Sequence, residues 1–108
     1  MMPVTTERRA APRYPLILAA EIHVEASGTN ASARTSDISR TGCYLDTLNP
    51  LPAGTVVLLR LTQGGEQFAT HARVVYEIPG MGMGVAFVDV AAPQQALLER
   101  WLAAGVAS

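Results

Sequence analysis

The sequence predicts an all-β fold, a six-stranded antiparallel β-barrel with a short C-terminal α-helix. Three observations carry this. Stretches with an apolar residue at every second position recur from residue 15 onward. Clusters of Gly, Pro, Asn and Ser separate them. Helical spacing of apolar residues takes over after Pro93. Period-two segments joined by short turns suit a small barrel, and one amphipathic helix can cover a barrel end.

Residues 1–13, MMPVTTERRAAPR, show no clear apolar period and hold two prolines, so they read as a flexible arm. The barrel with its helix is expected over residues 14–104. From Pro15, Leu16, Leu18, Ala20, Ile22 and Val24 alternate with Ile17, Ala19, Glu21 and His23, the mark of a strand. ASGTN is turn chemistry. Ala31 to Ile38 runs back as a second, more polar strand. SRTG breaks it, and CYLDT is a short third strand.

LNPLPAG forms a loop, and TVVLLRLT, rich in β-branched and aliphatic residues, forms the fourth strand. QGGE is a hairpin signal. Gln67 to Ile78 form a long fifth strand, with Phe68, Thr70, Ala72, Val74 and Tyr76 expected on one face. PGMG turns the chain into a sixth strand, MGVAFVDV, with Met83, Val85 and Phe87 on one side. Pro93 suits the first helical position, Leu97, Leu98, Trp101 and Leu102 share a helix face, and Gly105 is a natural stop.

The chain has 108 residues, enough for one domain and too few for two. Its 49% apolar content supports a core without disulfides or metal. The single cysteine, Cys43, has no internal disulfide partner, which leans towards a reducing compartment. No segment spans a membrane, and PLILAA lacks a signal-peptide layout. The expectation is a soluble, cytoplasmic protein with no membrane insertion. The net charge of −1 gives no global attraction to a nucleic-acid polymer. All eight basic residues are arginine, and Arg8, Arg9 and Arg13 make the arm locally cationic.

Catalytic chemistry finds little support. His23 and His71 lie in expected strands, where solvent or a local hydrogen bond satisfies them. Cys43 has no neighbouring histidine and reads as a buried, inert thiol. One cysteine and two scattered histidines lack zinc spacing. No nucleophile-elbow pattern surrounds a serine. PGMGMG precedes a strand rather than a helix, so it lacks the helix N-terminus that phosphate loops use. It reads as a turn and a close backbone approach inside the barrel. The expectation is no enzyme, no metal and no resident cofactor.

Two motifs remain: Arg9-x-x-x-Arg13 in the arm, and DISRTG, which places Asp37, Ser39 and Gly42 at fixed offsets. A hairpin turn alone accounts for DISRTG if Asp37 accepts local amides and Gly42 takes a positive φ. Topology joins the two motifs. If strands one and two form a hairpin, the end of strand two returns to where strand one began, beside the arm. Arginine forks bind phosphate and the guanine edge. A carboxylate accepts from the N1–H and N2 amine of guanine. A serine hydroxyl serves either group, and a glycine admits a ligand to the backbone. The ligand implied has phosphate and guanine.

The set resembles the PilZ domain family, bacterial receptors for cyclic di-GMP, whose pattern is R-x-x-x-R followed by [DN]-x-S-x-x-G. GMGVAFVDV is similar to the family's last strand, and the resemblance runs from about Glu7 to Trp101. It implies that cyclic di-GMP lies across the barrel surface. Arg9 and Arg13 would hold phosphate and guanine, and Asp37, Ser39 and Gly42 a guanine edge and its backbone. Arg8, next to Arg9, is either a solvated surface charge or a guanidinium that stacks on a guanine face, and stacking would favour two nucleotides per chain over one. The family regulates motility, biofilm polysaccharide synthesis and virulence. With no second domain in this chain, output would pass through an unidentified downstream protein. The helix or a barrel edge could also support a homodimer. Two other readings compete. One is an adaptor with the PilZ fold that binds no nucleotide. The other is a nucleic-acid-binding barrel, which the slight negative charge and only six aromatic residues disfavour.

Overall fold

The structure, a computed structural model, describes residues 12–107. Most of the expected arm, with Arg8 and Arg9, lies outside the described residues. Six strands follow in chain order: β1 (Ala19–Val24), β2 (Thr29–Ile38), β3 (Gly42–Asp46), β4 (Val56–Gln63), β5 (Glu66–Ile78) and β6 (Gly82–Val88). A single helix, α1 (Ala92–Ala107), ends the described chain. The strands close into an antiparallel barrel in the order β1-β2-β3-β6-β5-β4. Closure gives each strand two partners and removes the open edges that would pair with other chains.

The alternation expected from sequence sets the core. Leu18, Ala20, Ile22 and Val24 point inward from and before β1, Val57, Leu59 and Leu61 from β4, and Phe68, Ala72 and Val74 from β5. Ile38, Cys43, Leu45, Met83 and Val85 complete the wall. Leu98, Trp101 and Leu102 of α1 are buried against one end of the barrel. There Phe68 packs on Phe87 with ring centroids 5.1 Å apart and on Trp101 at 6.4 Å. Glu66 at the start of β5 fastens the helix. Its Oε1 accepts from Trp101 Nε1 at 3.0 Å, and its Oε2 accepts from both terminal nitrogens of Arg100 at 3.1 Å. These donors hold the Glu66 carboxyl below its ordinary pKa of 4.5.

Three expectations need correction. The first strand was expected from Pro15, but its ladder begins at Ala19. Residues 16–18 are held instead by Thr35, which is buried in β2. The Thr35 N–H donates to the Leu18 carbonyl at 2.9 Å. Its hydroxyl donates to the Leu16 carbonyl at 2.6 Å and accepts from the Leu18 N–H at 2.8 Å. Second, Tyr76 does not join the inward face of β5. The β5–β6 register shifts between Val74 and Tyr76, so Val75 is an extra residue and Tyr76 turns outward, 46% exposed. Third, α1 passes through Gly105 and continues to Ala107. A glycine permits a helix to stop but does not impose it, and inside a helix it costs only about 0.5–1 kcal/mol.

The Thr35 clamp generates a test. Thr35→Val keeps the shape and removes the hydroxyl, leaving the Leu18 N–H and Leu16 carbonyl without their partner. The variant is expected to lose roughly 1–3 kcal/mol of stability, read from urea denaturation. A loss below about 0.5 kcal/mol, the range of a neutral surface change, would show that water replaces the hydroxyl there.

Candidate functional site

The site forms where the chain enters the barrel. The Tyr14 N–H donates to the Ile38 carbonyl at 2.9 Å, and the Ile38 N–H returns a bond to the Tyr14 carbonyl at 3.0 Å. This bridge lays Arg13 beside the end of β2. Arg13 Nε donates to Asp37 Oδ1 at 2.9 Å, and Nη2 reaches the same oxygen at 2.9 Å. The adjacency of the arm's end and DISRTG, expected from the hairpin argument, is therefore present for Arg13 and Asp37.

A second register shift, between Thr35 and Asp37 in the β2–β3 pairing, explains why Asp37 is available. Strict alternation from the inward Thr35 would point Asp37 into the core and Ile38 outward. Ser36, the extra residue, resets the phase. Ile38 becomes fully buried, and Asp37 stays about one-third exposed at its side chain. Asp37 thus lies in a strand, opposite Tyr44, and not in a loop.

Ser39 and Gly42 do different work from Asp37. Ser39 is fully buried. Its Oγ accepts from the Thr41 and Gly42 N–H groups, each at 3.2 Å, and lies 3.2 Å from the Gly42 carbonyl, to which it donates. The Ser39 N–H also donates to that carbonyl at 2.8 Å. The hydroxyl is engaged inside the turn. Gly42 is not among the glycines of positive φ. A Cβ at Gly42 would collide with the Val85 carbonyl oxygen, so the glycine is required by close packing of β3 on β6. DISRTG does contain a turn, but neither condition of the turn reading is met: Ser39 accepts the local amides, Gly42 has no positive φ, and Asp37 binds Arg13.

One row of outward residues crosses four strands from here. Asp37 opposes Tyr44, Tyr44 opposes Gly84, and Gly84 opposes Tyr76. The Tyr44 and Tyr76 ring centroids are 6.3 Å apart. The Tyr76 ring covers Gly84, and the Tyr44 ring lies over Gly82. PGMGMG is thus a turn at Gly80, φ 75°, followed by a close approach on the outer barrel surface rather than inside it. Burial raises the Tyr44 hydroxyl above its ordinary pKa of 10.0, helped by Tyr76 and the Asp46 and Asp37 carboxylates. A cleft of about 180 Å³ opens beside this row, lined by Arg13, Thr41, Gly42, Tyr76, Gly84 and Ala86 among others. The sequence reading missed both tyrosines, because only the register shifts bring Asp37 and Tyr76 into this row. It also missed Arg40, the fourth residue of DISRTG, whose Nε lies 3.7 Å from Glu99 Oε2 on α1.

The two histidines make contacts elsewhere on the barrel. His23 Nδ1 lies 2.7 Å from Asn30 Oδ1, and His71 Nε2 lies 3.3 Å from Glu25 Oε2. Both are surface contacts of the kind expected. Cys43 is buried, and burial pushes its thiol from 9.0 up to about 12. Among the described residues, no three His, Cys, Asp or Glu side chains gather to hold a metal ion. No described helix is long and apolar enough to cross a membrane.

A PilZ domain family model matches residues 7–104. No curated protein matches the chain. Among solved structures, the PilZ domain with c-di-GMP of YcgR from Escherichia coli is similar at TM-score 0.77 and 17% identity, covering 91% of each chain. The PilZ domain of CeSA from a cellulose-synthesizing bacterium gives TM-score 0.65 and 22% identity over 83% of this chain and 93% of its own. The Bacillus subtilis inhibitor of motility MotI gives TM-score 0.71 and 21% identity over 87% of this chain, which spans only 48% of that protein. At these identities the likeness establishes the fold.

The buried thiol supplies a prediction. A raised pKa favours the neutral form, so the contribution of Cys43 to stability is intact below pH 9.0 and is lost as pH rises towards about 12. At pH 8 a chromogenic disulfide reagent is expected to label the native protein more than about tenfold slower than the urea-unfolded chain. Equal rates would mean that the β3 wall opens readily.

Proposed function

The chain belongs to the PilZ domain family, and from that premise we propose that it is a non-enzymatic, cytoplasmic sensor of cyclic di-GMP. It signals by presenting a changed surface to a partner protein. The observation that carries this reading is the Arg13–Asp37 pair, held on the outer barrel face at the mouth of the cleft. The guanidinium offers donors to a phosphate or to guanine O6 and N7, and the carboxylate accepts the N1–H and N2 amine of guanine. Ser39 and Gly42 shape the turn that follows the strand carrying Asp37 and that holds Thr41. Arg8 and Arg9 would supply further cations from the arm. A structure of the YcgR PilZ domain with c-di-GMP gives the same fold that ligand as a precedent.

A second reading has one observation in its favour. Arg13 and Asp37 neutralise each other and Ser39 is spent on its turn, so each also has a structural role. An adaptor with this fold that binds no nucleotide would keep them for stability. Calorimetric titration with cyclic di-GMP, with GMP as control, separates the two. Under the sensor reading the parent binds, and Arg13→Ala and Asp37→Ala each weaken binding by about five- to 150-fold, the range of one bidentate arginine–guanine pair. Their thermal unfolding stays near the parent's, because the pair is exposed. No binding by the parent leaves the adaptor reading.

Arm ordering is the proposed output. Three arginines close in sequence repel one another, and a dianionic ligand would offset that repulsion and give the arm contacts. Amide exchange from Arg9 to Arg13, ahead of the Tyr14 amide already bonded to Ile38, is then expected to slow on addition of cyclic di-GMP. Protection already complete in the free protein would rule out ordering by ligand.

A further inference from the structure

Six arginines fall among the described residues, and five of them face a carboxylate: Arg13 on Asp37, Arg34 on Asp46, Arg40 on Glu99, Arg60 on Glu21 and Arg100 on Glu66. Arg73 has no ion pair or hydrogen bond with a described side chain. It projects outward and exposed from β5. Its register partner on β6 is Ala86, and the partner of Ala86 on β3 is Gly42. Gly42 and Ala86 both line the cleft beside Arg13. Arg73 therefore stands on the same outer face as the site, two strand spacings from Gly42, or about 10 Å. In this row only the Ala86 methyl lies between them, with the exposed Val75 of β5 lining the cleft alongside.

The two ends of this face differ in charge. At the β2 end Arg13 is matched by Asp37, whose carboxylate suits the donor edge of guanine. At the β5 end Arg73 is unmatched among the described side chains, which suits an anion. We propose that Arg73 is a second anion-binding residue of the site and holds a phosphodiester of the cyclic dinucleotide at the end of the cleft remote from Asp37. The inference rests on the nucleotide-binding reading above. An exposed guanidinium with no partner among the described side chains needs no bond to them broken before it takes a phosphate oxygen.

The test is calorimetric titration with cyclic di-GMP of the parent, Arg73→Gln, Arg73→Lys and Arg60→Gln, at low and high salt. Arg60 is the control, an exposed arginine on β4 that does not line this cleft. Arg73→Gln is expected to weaken binding about five- to twentyfold, the effect of one exposed charge-assisted contact, and to reduce the salt dependence of the affinity. Arg73→Lys is expected to restore most of the loss, because phosphate accepts a point charge. Arg60→Gln is expected to bind like the parent. Arg73→Gln within twofold of the parent overturns the inference while leaving the sensor reading standing, and so does an equal loss in Arg60→Gln. No binding by the parent overturns both. Thermal unfolding of Arg73→Gln at the parent's midpoint assigns its loss to the contact and not to the fold.

Discussion

The site depends on one extra residue in β2. A strand alternates its side chains strictly, so the inward Thr35 would send Asp37 into the core and Ile38 to solvent. A buried, unpaired carboxylate costs several kcal/mol, and an exposed isoleucine forfeits about 1.5–3 kcal/mol of burial. Ser36 removes both penalties by shifting the register. Thr35 secures the shifted geometry from inside, with its hydroxyl and N–H bonded to the Leu16–Leu18 segment. The same bonds guide the incoming chain, so that Tyr14 meets Ile38 and Arg13 meets Asp37. Core packing, strand entry and the surface ion pair follow from a single bulge.

The opposite wall repeats the device. Val75 is the extra residue of β5, and it turns Tyr76 out of the core onto the backbone of Gly84. The next row inward then consists of Ile38, Cys43, Val85 and Val74, all buried. The row above it carries Asp37, Tyr44, Gly84 and Tyr76. The two bulges therefore act on the same pair of rows from opposite sides. The glycines matter because an outward side chain on β6 would fill the space the tyrosine rings occupy. Gly42 obeys the same logic against the Val85 carbonyl, and none of these positions needs a positive φ.

Much of this was legible in the sequence. Apolar alternation located all six strands to within a few residues, because each strand buries one face and the period is set by the pleat. The helix was legible from Leu97, Leu98, Trp101 and Leu102, although Gly105 did not end it. The adjacency of the arm's end and DISRTG followed from hairpin topology alone, whereas the ion pair between Arg13 and Asp37 did not. The bulges were not legible, because an inserted residue looks like any other until its neighbours fix the register. For that reason Tyr76 was placed in the core, and Tyr44 went unnoticed. Ser39 shows the converse. Its motif position suggested a ligand contact, but a hydroxyl two residues before an amide-rich turn is first a turn residue.

An ion pair that is complete without ligand has the look of a site already filled. Its exposure argues otherwise. The Arg13 and Asp37 side chains are 47% and 36% exposed, and a pair so open to water contributes about 0–1 kcal/mol. Breaking or sharing it costs little, whereas each partner gains a charge-assisted bond from a ligand that carries both phosphate and a donor edge. Meanwhile the pair keeps the guanidinium from wandering, which lowers the entropy lost on binding. The Tyr14–Ile38 bridge supplies the same service to the backbone. A buried pair would reverse this balance, since separating it strands a charge in low dielectric. The half-exposed depth of Asp37, set by the bulge at Ser36, thus lets one pair stabilise the free protein slightly and still yield to a ligand.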